Sequence, residues 1–230
     1  MLKKLTQEKL DEILEIGIAE FAQQGAEGAR MSRIASRAGI SVGVLYKYYA
    51  DKDAFFSACL QRSLEALRDT LSRIETTDGG ILTGAEAAIR AVQHFSVEHA
   101  NYTRMYLRLT AESGGEYAKT LARAIEELSA EVYTRRIARA KDAGDVRGDM
   151  DPRLFAFFFD SLLMMMQFSY CCDYYQERFR LYCGEAAQDS ALVAGELLKF
   201  LESAFTTQRG ISPTGQLTLR GNAHDLCSGL

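Results

Sequence analysis

Proline is nearly missing from this 230-residue chain: Pro152 and Pro213 are the only two. The stretches between them are long and free of the residue that most readily breaks a helical hydrogen-bond ladder, which fits an all-helical protein. Strand-like alternation of useful length is missing as well, so a sheet architecture is not expected. The five cysteines, Cys59, Cys171, Cys172, Cys183 and Cys227, form no CxxC pair and have no histidine cluster near them. That spacing argues against a metal centre, and the chain offers no cofactor signature either. The start of the chain has no apolar run, since Lys3, Lys4 and Lys9 lead into an acidic amphipathic segment. Reducing cytoplasm is therefore the expected location. There the cysteines read as small buried hydrophobes, with Cys171-Cys172 the pair that keeps a redox role open.

Catalytic patterns are scarce too. His94 and His99 stand five residues apart and do not share a helical face well. No serine or cysteine sits in a nucleophile motif, and Gly79-Gly80 lacks the strand and helix that frame a phosphate loop. The chain is not expected to be an enzyme. Its composition, 47% hydrophobic and 25% charged with a formal net charge of −4, is that of a folded globular protein. A basic surface throughout is excluded by that balance, so any contact with nucleic acid must be local.

One segment has what such a contact needs. Between Arg30 and Lys52 lie Arg30, Arg33, Arg37, Lys47 and Lys52 against the single acid Asp51, a local net of +4 in an acidic chain. Ile34, Ala35 and Ala38 form one apolar helical face, Gly39 can take the left-handed backbone that ends a helix, and Ser41 can cap the next one. Two short helices meeting at a sharp turn are predicted. In the second, Leu45 and Tyr49 are spaced to face the core, which distributes Val42, Gly43, Val44, Tyr46, Lys47 and Tyr48 over the remaining sides. Gly43 costs a helix about 1 kcal/mol relative to alanine, which suggests that a phosphate or a base edge must approach the backbone there. A solvated charged face is the ordinary meaning of a basic run, but its asymmetry with the rest of the chain favours a DNA footprint.

This segment resembles the DNA-binding domain of the tetracycline-repressor (TetR) family, AcrR-like members included. Ile34, Ala35, Ala38, Gly39, Ile40, Ser41, Gly43, Leu45, Tyr46, Tyr48, Tyr49 and Lys52 stand at the spacing of the family pattern. The resemblance is specific over about residues 7–68. Two departures accompany it: Ala29-Arg30 stands where members often have a capping threonine, and Val42 where a polar residue is frequent. Arg30 can replace a phosphate contact of that threonine but not its cap, and base reading at Val42 is either apolar, against a thymine methyl, or absent. The resemblance and the basic segment together give the expected DNA contacts as Arg30, Arg33, Ser41, Val42, Gly43, Val44, Tyr46, Lys47, Tyr48 and Lys52.

Around that segment the periodicity predicts a head and a body. Leu10, Ile13, Leu14, Ile18 and Phe21 mark a first helix over about 7–24, ending at Gly25. A further helix opens at Asp51 and runs to about Ile74. Others are expected at about 83–99, 101–112, 115–142, 152–171 and 188–207. The fold class is thus all-α, with a three-helix helix-turn-helix domain over residues 1–50, a helical body over 51–207 and a loose tail over 208–230; the resemblance implies that the body is an effector-binding and dimerisation domain.

The run from Leu154 to Cys172 is long enough to raise a membrane span, but Asp160, Ser161, Gln167 and Ser169 interrupt it. A helix buried on most sides, with no membrane partner, is the expectation. The family resemblance implies that this helix and the one at 188–207 pack against their mates in a homodimer. Such a dimer binds double-stranded DNA at a palindromic site. The resemblance also implies a repressor released by a small effector held between body helices, an apolar one given the side chains on offer, with motion carried by the helix that begins near Asp51. Tyr102, Met105, Tyr106, Leu109, Phe158, Met165 and Phe168 supply adaptable apolar surface and are the candidate pocket residues. His94, His99, Arg104, Arg108 and Glu112 are polar candidates for orienting the ligand, although each also suits a solvated helix face. The alternative is a helical adaptor on the same fold that binds protein partners without specific DNA affinity.

Overall fold

In the computed structural model of the chain, residues 4–112 and 115–205 are described, and they form ten α-helices with no strand among them. α1 (Gln7–Gly28) opens with the Thr6 hydroxyl accepting from the Lys9 amide at 3.3 Å. Its helical path breaks at Gly25, whose φ of 72° is the left-handed conformation that glycine adopts without cost. α2 (Met31–Arg37) and α3 (Val42–Tyr48) follow as the two short helices of the turn. The body consists of α4 (Lys52–Glu75), α5 (Ile81–Glu98), α6 (Ala100–Glu112), α7 (Gly115–Asp142), α8 (Pro152–Cys171), α9 (Asp173–Cys183) and α10 (Ser190–Phe205).

Two large apolar clusters and a small third one hold these helices. The first joins Ile13, Ile18 and Phe21 of α1 to Ile34 and Leu45 of the turn, and continues through Phe55 and Cys59 of α4 into Tyr102, Met105 and Leu109 of α6. One core therefore spans the sequence position at which head and body are divided. Close approach of α1 to α4 depends on Gly17, where a Cβ would lie 2.5 Å from the Phe55 ring. The second cluster, around Leu71, Ile89, Ile137, Phe159, Leu163 and Leu201, forms the far end of the body. There the Arg136 guanidinium crosses over Gly84 and donates to the carbonyls of Ile74, Glu75 and Thr77. It thereby satisfies the open C-terminal end of α4 with a positive charge.

Two elements differ from the sequence reading. α9 occupies a stretch expected to be a connection, because its residues Tyr174, Phe179, Leu181 and Tyr182 alternate with charges and none of the helix is buried. An element without a core-facing stripe leaves little periodic signal. α8 is also less enclosed than expected. Ala156, Phe159, Leu163 and Met166 are buried, whereas Leu154, Phe157, Phe158, Leu162 and Met165 are exposed. The helix lies at the margin of the body and meets the core with one face only. It has the length and apolarity to cross a membrane by composition, and its polar interruptions include Asp160, which is turned to the interior of the body. The expected tail lies outside the described residues.

Candidate nucleic-acid interface and body cavity

The head presents α3 through a short chain of local causes. Gly39, at φ 67°, ends α2. Ser41 then caps α3, its hydroxyl accepting from the Val44 amide at 3.3 Å. Leu45 is fully buried and anchors the helix, and the Tyr49 ring meets Phe55 edge-on at 4.8 Å. The remaining surface of α3 carries Val42, Gly43, Tyr46 and Lys47, all exposed, with Val44 half-buried. A Cβ at Gly43 would meet nothing closer than the Ser41 hydroxyl at 4.0 Å. The missing side chain therefore makes no internal room and leaves the backbone open from outside.

Other residues expected at the interface carry structural bonds. The Tyr48 hydroxyl accepts from the Leu5 amide at 2.7 Å, tying the segment before α1 to α3. The Lys52 ammonium donates to the carbonyls of Ala26 and Glu27 at 2.9 and 3.1 Å, closing the end of α1. Asp51, the acid of the basic segment, is used as the cap of α4, accepting from the Ala54 amide at 2.7 Å. Arg30 is exposed and makes no side-chain cap for α2.

Glu20 escaped the sequence reading. It is fully buried on α1, accepts from the Arg30 amide at 3.4 Å, and faces the guanidinium groups of Arg33 at 3.1 Å and Arg37 at 3.8 Å. Its Oε2 has no hydrogen-bond partner. The carboxylate sits where α2 begins, so it completes the helix end that lacks a side-chain cap. It also draws two of the basic side chains back toward the protein. An acid within the apolar stripe that includes Ile13, Gly17 and Phe21 was the available signal.

In the body a cavity of about 130 Å³ opens among α4, α5, α6, α7 and α8. Tyr102, Met105, Tyr106 and Leu109 of α6 line it. Phe158 and Met165 do not, because they stand on the exposed face of α8. Phe168 is buried in a separate small cluster with Cys171 and Cys172 and stacks on Tyr106 from behind. The wall contributed by α8 is instead Asp160, Leu163, Met164 and Gln167. Picking the wrong face of α8 is the consequence of a helix that is apolar nearly all round.

The polar candidates point elsewhere. His94 pairs with Glu98, and Arg104 donates to the Cys171 carbonyl at 2.8 Å. Arg108 donates to the Ala22 and Gln23 carbonyls of α1 at 3.1 and 3.0 Å. The His99 ring meets Phe95 and Tyr102 at tilted angles, with centroids 5.0 and 5.1 Å away, and the Glu112 side chain lies outside the described residues. Cys171 and Cys172 are both buried with their sulfurs 3.8 Å apart.

α6 joins the two sites. Tyr102 lines the cavity with its ring, while its hydroxyl donates to Glu15 of α1 at 2.6 Å. Glu15 in turn accepts from Arg62 of α4 at 2.7 Å. One turn and a half further on, Arg108 grips the last carbonyls of the regular part of α1.

A helix-turn-helix head joined to a helical body with an internal cavity is the architecture that the described residues form. Residues 13–59, which include the helix-turn-helix, match the family model of bacterial regulatory proteins, tetR family. Among curated relatives, the HTH-type transcriptional repressor SCO4008 of Streptomyces coelicolor is 30% identical over 136 residues, covering 59% of this chain and 64% of that one. The nucleoid occlusion factor SlmA of Haemophilus ducreyi is 26% identical over 106 residues, 46% of this chain and 52% of that one. The chain thus spans between about half and two thirds of the length of these relatives. The fold extends further than the sequence similarity. The regulator FadR of Bacillus subtilis, solved with stearoyl-CoA, superposes with a TM-score of 0.68 at 13% identity, covering 85% of this chain and 99% of that one.

Proposed function

We propose that the chain is a ligand-responsive transcriptional regulator, a repressor that binds a palindromic operator as a homodimer and is released when a small molecule fills the body cavity. The observation that carries this reading is α6, which lines the cavity with one face and is hydrogen-bonded to the head with the other. A ligand that displaces Tyr102 acts on Glu15 and, through Arg62, on α4 as well. Coupling then runs through α6 together with the helix beginning at Lys52. A ligand shifts the equilibrium only by its differential affinity for the two head arrangements.

Support for the dimer comes from the outward faces of α8 and α10, where Leu154, Phe157, Phe158, Met165, Leu192 and Phe200 are exposed. An apolar patch of this kind on a folded protein marks an interaction surface. Pairing two copies through it by a two-fold axis carries two α3 helices to half-sites about one helical turn apart or somewhat more. In this reading Tyr46 and Arg30 touch phosphates, Lys47 and Val42 reach base edges, and Gly43 admits the backbone to the groove. Lys52 and Tyr48 act mainly by bracing the head through the bonds described above. A regulator of this kind works in the cytoplasm and catalyses no reaction.

Selection of duplexes from a random pool by the full chain tests the reading. It predicts an enriched palindrome whose affinity falls steeply with salt, as counterion release from neutralised phosphates requires. Lys47→Ala changes which sequences are enriched, whereas Tyr46→Phe lowers affinity for all of them alike. A pool without a consensus, bound weakly even at low salt, overturns the regulator and leaves the adaptor.

A further inference from the structure

Among the described residues, the body cavity combines a largely apolar wall with two carboxylates and no basic side chain. Leu64, Leu67, Val92, Met105 and Leu163 supply the aliphatic surface. Phe95, Tyr102, Tyr106 and Tyr133 supply aromatic rings. Glu126 of α7 and Asp160 of α8 are the charged residues among those that line it, and no lysine, arginine or histidine joins them. Three arginines of the neighbouring helices are engaged away from it. Arg62 bonds Glu15 and Asp11, Arg104 bonds the Cys171 carbonyl, and Arg136 closes the end of α4.

Glu126 accepts from the Tyr106 hydroxyl at 2.6 Å, and the Ser129 hydroxyl donates to the Glu126 backbone carbonyl at 3.3 Å. Asp160 faces Glu126 and Tyr133 of α7 and Tyr106 of α6, while α4 and α5 turn only uncharged side chains to the cavity. Two acids in a largely apolar enclosure, with the neutral Ser129 hydroxyl beside Asp160 and no cation among the described residues that line it, form an incomplete electrostatic arrangement. A neutral occupant leaves it incomplete, and an anionic headgroup adds a third like charge.

We propose that this cavity takes an organic cation, a single ammonium-type charge on an apolar body, with the charge between Asp160 and Glu126 and the body against the tyrosine and leucine walls. The assignment rests on the reading of the cavity as the effector site. The aromatic rings suit such a ligand independently of the carboxylates, because a desolvated cation is attracted to the faces of tyrosine and phenylalanine. It sets this chain apart from the fold relative solved with stearoyl-CoA, whose ligand carries negative charge. Burial, with Glu126 adding to it, pushes the Asp160 carboxyl up to about 6, so the empty site holds part of its charge as a proton. A bound cation favours the ionised form and releases that proton.

Calorimetry on the full chain, without DNA, provides the test. The probes are phenyltrimethylammonium and octyltrimethylammonium, the neutral isostere tert-butylbenzene, and octanoate. Phenyltrimethylammonium is expected to bind at least about ten-fold more tightly than tert-butylbenzene, which is the factor that about 1.4 kcal/mol makes. Near pH 6 its binding releases protons, seen as a heat that depends on the buffer. The double variant Asp160→Asn, Glu126→Gln removes the advantage of the cation while tert-butylbenzene binds as well as before, which also reports an intact cavity. Equal or tighter binding of tert-butylbenzene or octanoate by the unaltered chain overturns the assignment, as does the absence of saturable binding by either cation. Operator affinity is read separately. If a saturating cation leaves it unchanged, the regulator mechanism fails while the ligand class stands.

Discussion

Head and body each withdraw a carboxylate from solvent, and they treat it in opposite ways. Glu20 is fully buried on α1, yet Arg33 and Arg37 face it and the Arg30 amide donates to it. Asp160 is largely buried in the body, with a second carboxylate among its neighbours and the Ser129 hydroxyl as the group that favours its charged form. The head therefore sets opposite charge against its buried acid within the chain, although Glu20 Oε2 keeps no hydrogen-bond partner. The body leaves its own open, and the difference separates a carboxylate used for architecture from one available to a visitor.

The largest expected effect that would break this contrast is on Glu20. Glu20→Ala strands the arginine charges and removes buried packing, so a loss of about 2–4 kcal/mol is expected in urea unfolding. That is somewhat below the range for a fully buried pair, because the partly exposed arginines can rehydrate. A loss under about 0.5 kcal/mol would mean that the buried acid contributes little to the head. Asp160→Asn should act in the opposite direction. The folded-state value of about 6 lies above the ordinary 3.8, so between them the native state holds more protons than the unfolded one. Stability from this group falls as pH rises through that window and stays lost above it. The variant should gain on the order of 2–3 kcal/mol at pH 8 and nothing below about pH 4. An unchanged difference across that range would refute the proton held at Asp160. The smallest effect belongs to Ser41→Ala, which removes the cap of α3 and should cost about 1 kcal/mol. The loss should appear in the head and leave the affinity of the cavity for small molecules as it was.

The same two acids show how far a sequence can be read. The turn was legible because Gly39, Ser41 and Leu45 each act through a local cause, a backbone conformation, a cap and an anchoring contact. Most body helices were legible from apolar spacing. Glu20 was not singled out, since its partners Arg33 and Arg37 come from a different helix and an acid on α1 reads as surface. Asp160 appeared only as an interruption in an apolar run, and its role depends on Glu126 and Tyr106, which tertiary packing brings beside it. The choice between the two faces of α8 was hidden for the same reason. Both faces are apolar, and only the packing of α5, α6 and α7 decides that Leu163 and Met164 turn inward while Phe158 and Met165 do not.

The bonds that α6 makes to α1 carry an evolutionary consequence. A substitution at Tyr102 alters the cavity and the hydrogen bond to Glu15 together, so no change there is confined to ligand choice. The walls contributed by α7 and α8 make no such bond to the head among the described residues, and Glu126, Ser129, Asp160 and Met164 can be exchanged without breaking one. Descendants of this protein that respond to new molecules should therefore differ first along α7 and α8. The α6 wall would stay as it is, as the part of the cavity that the head has already claimed.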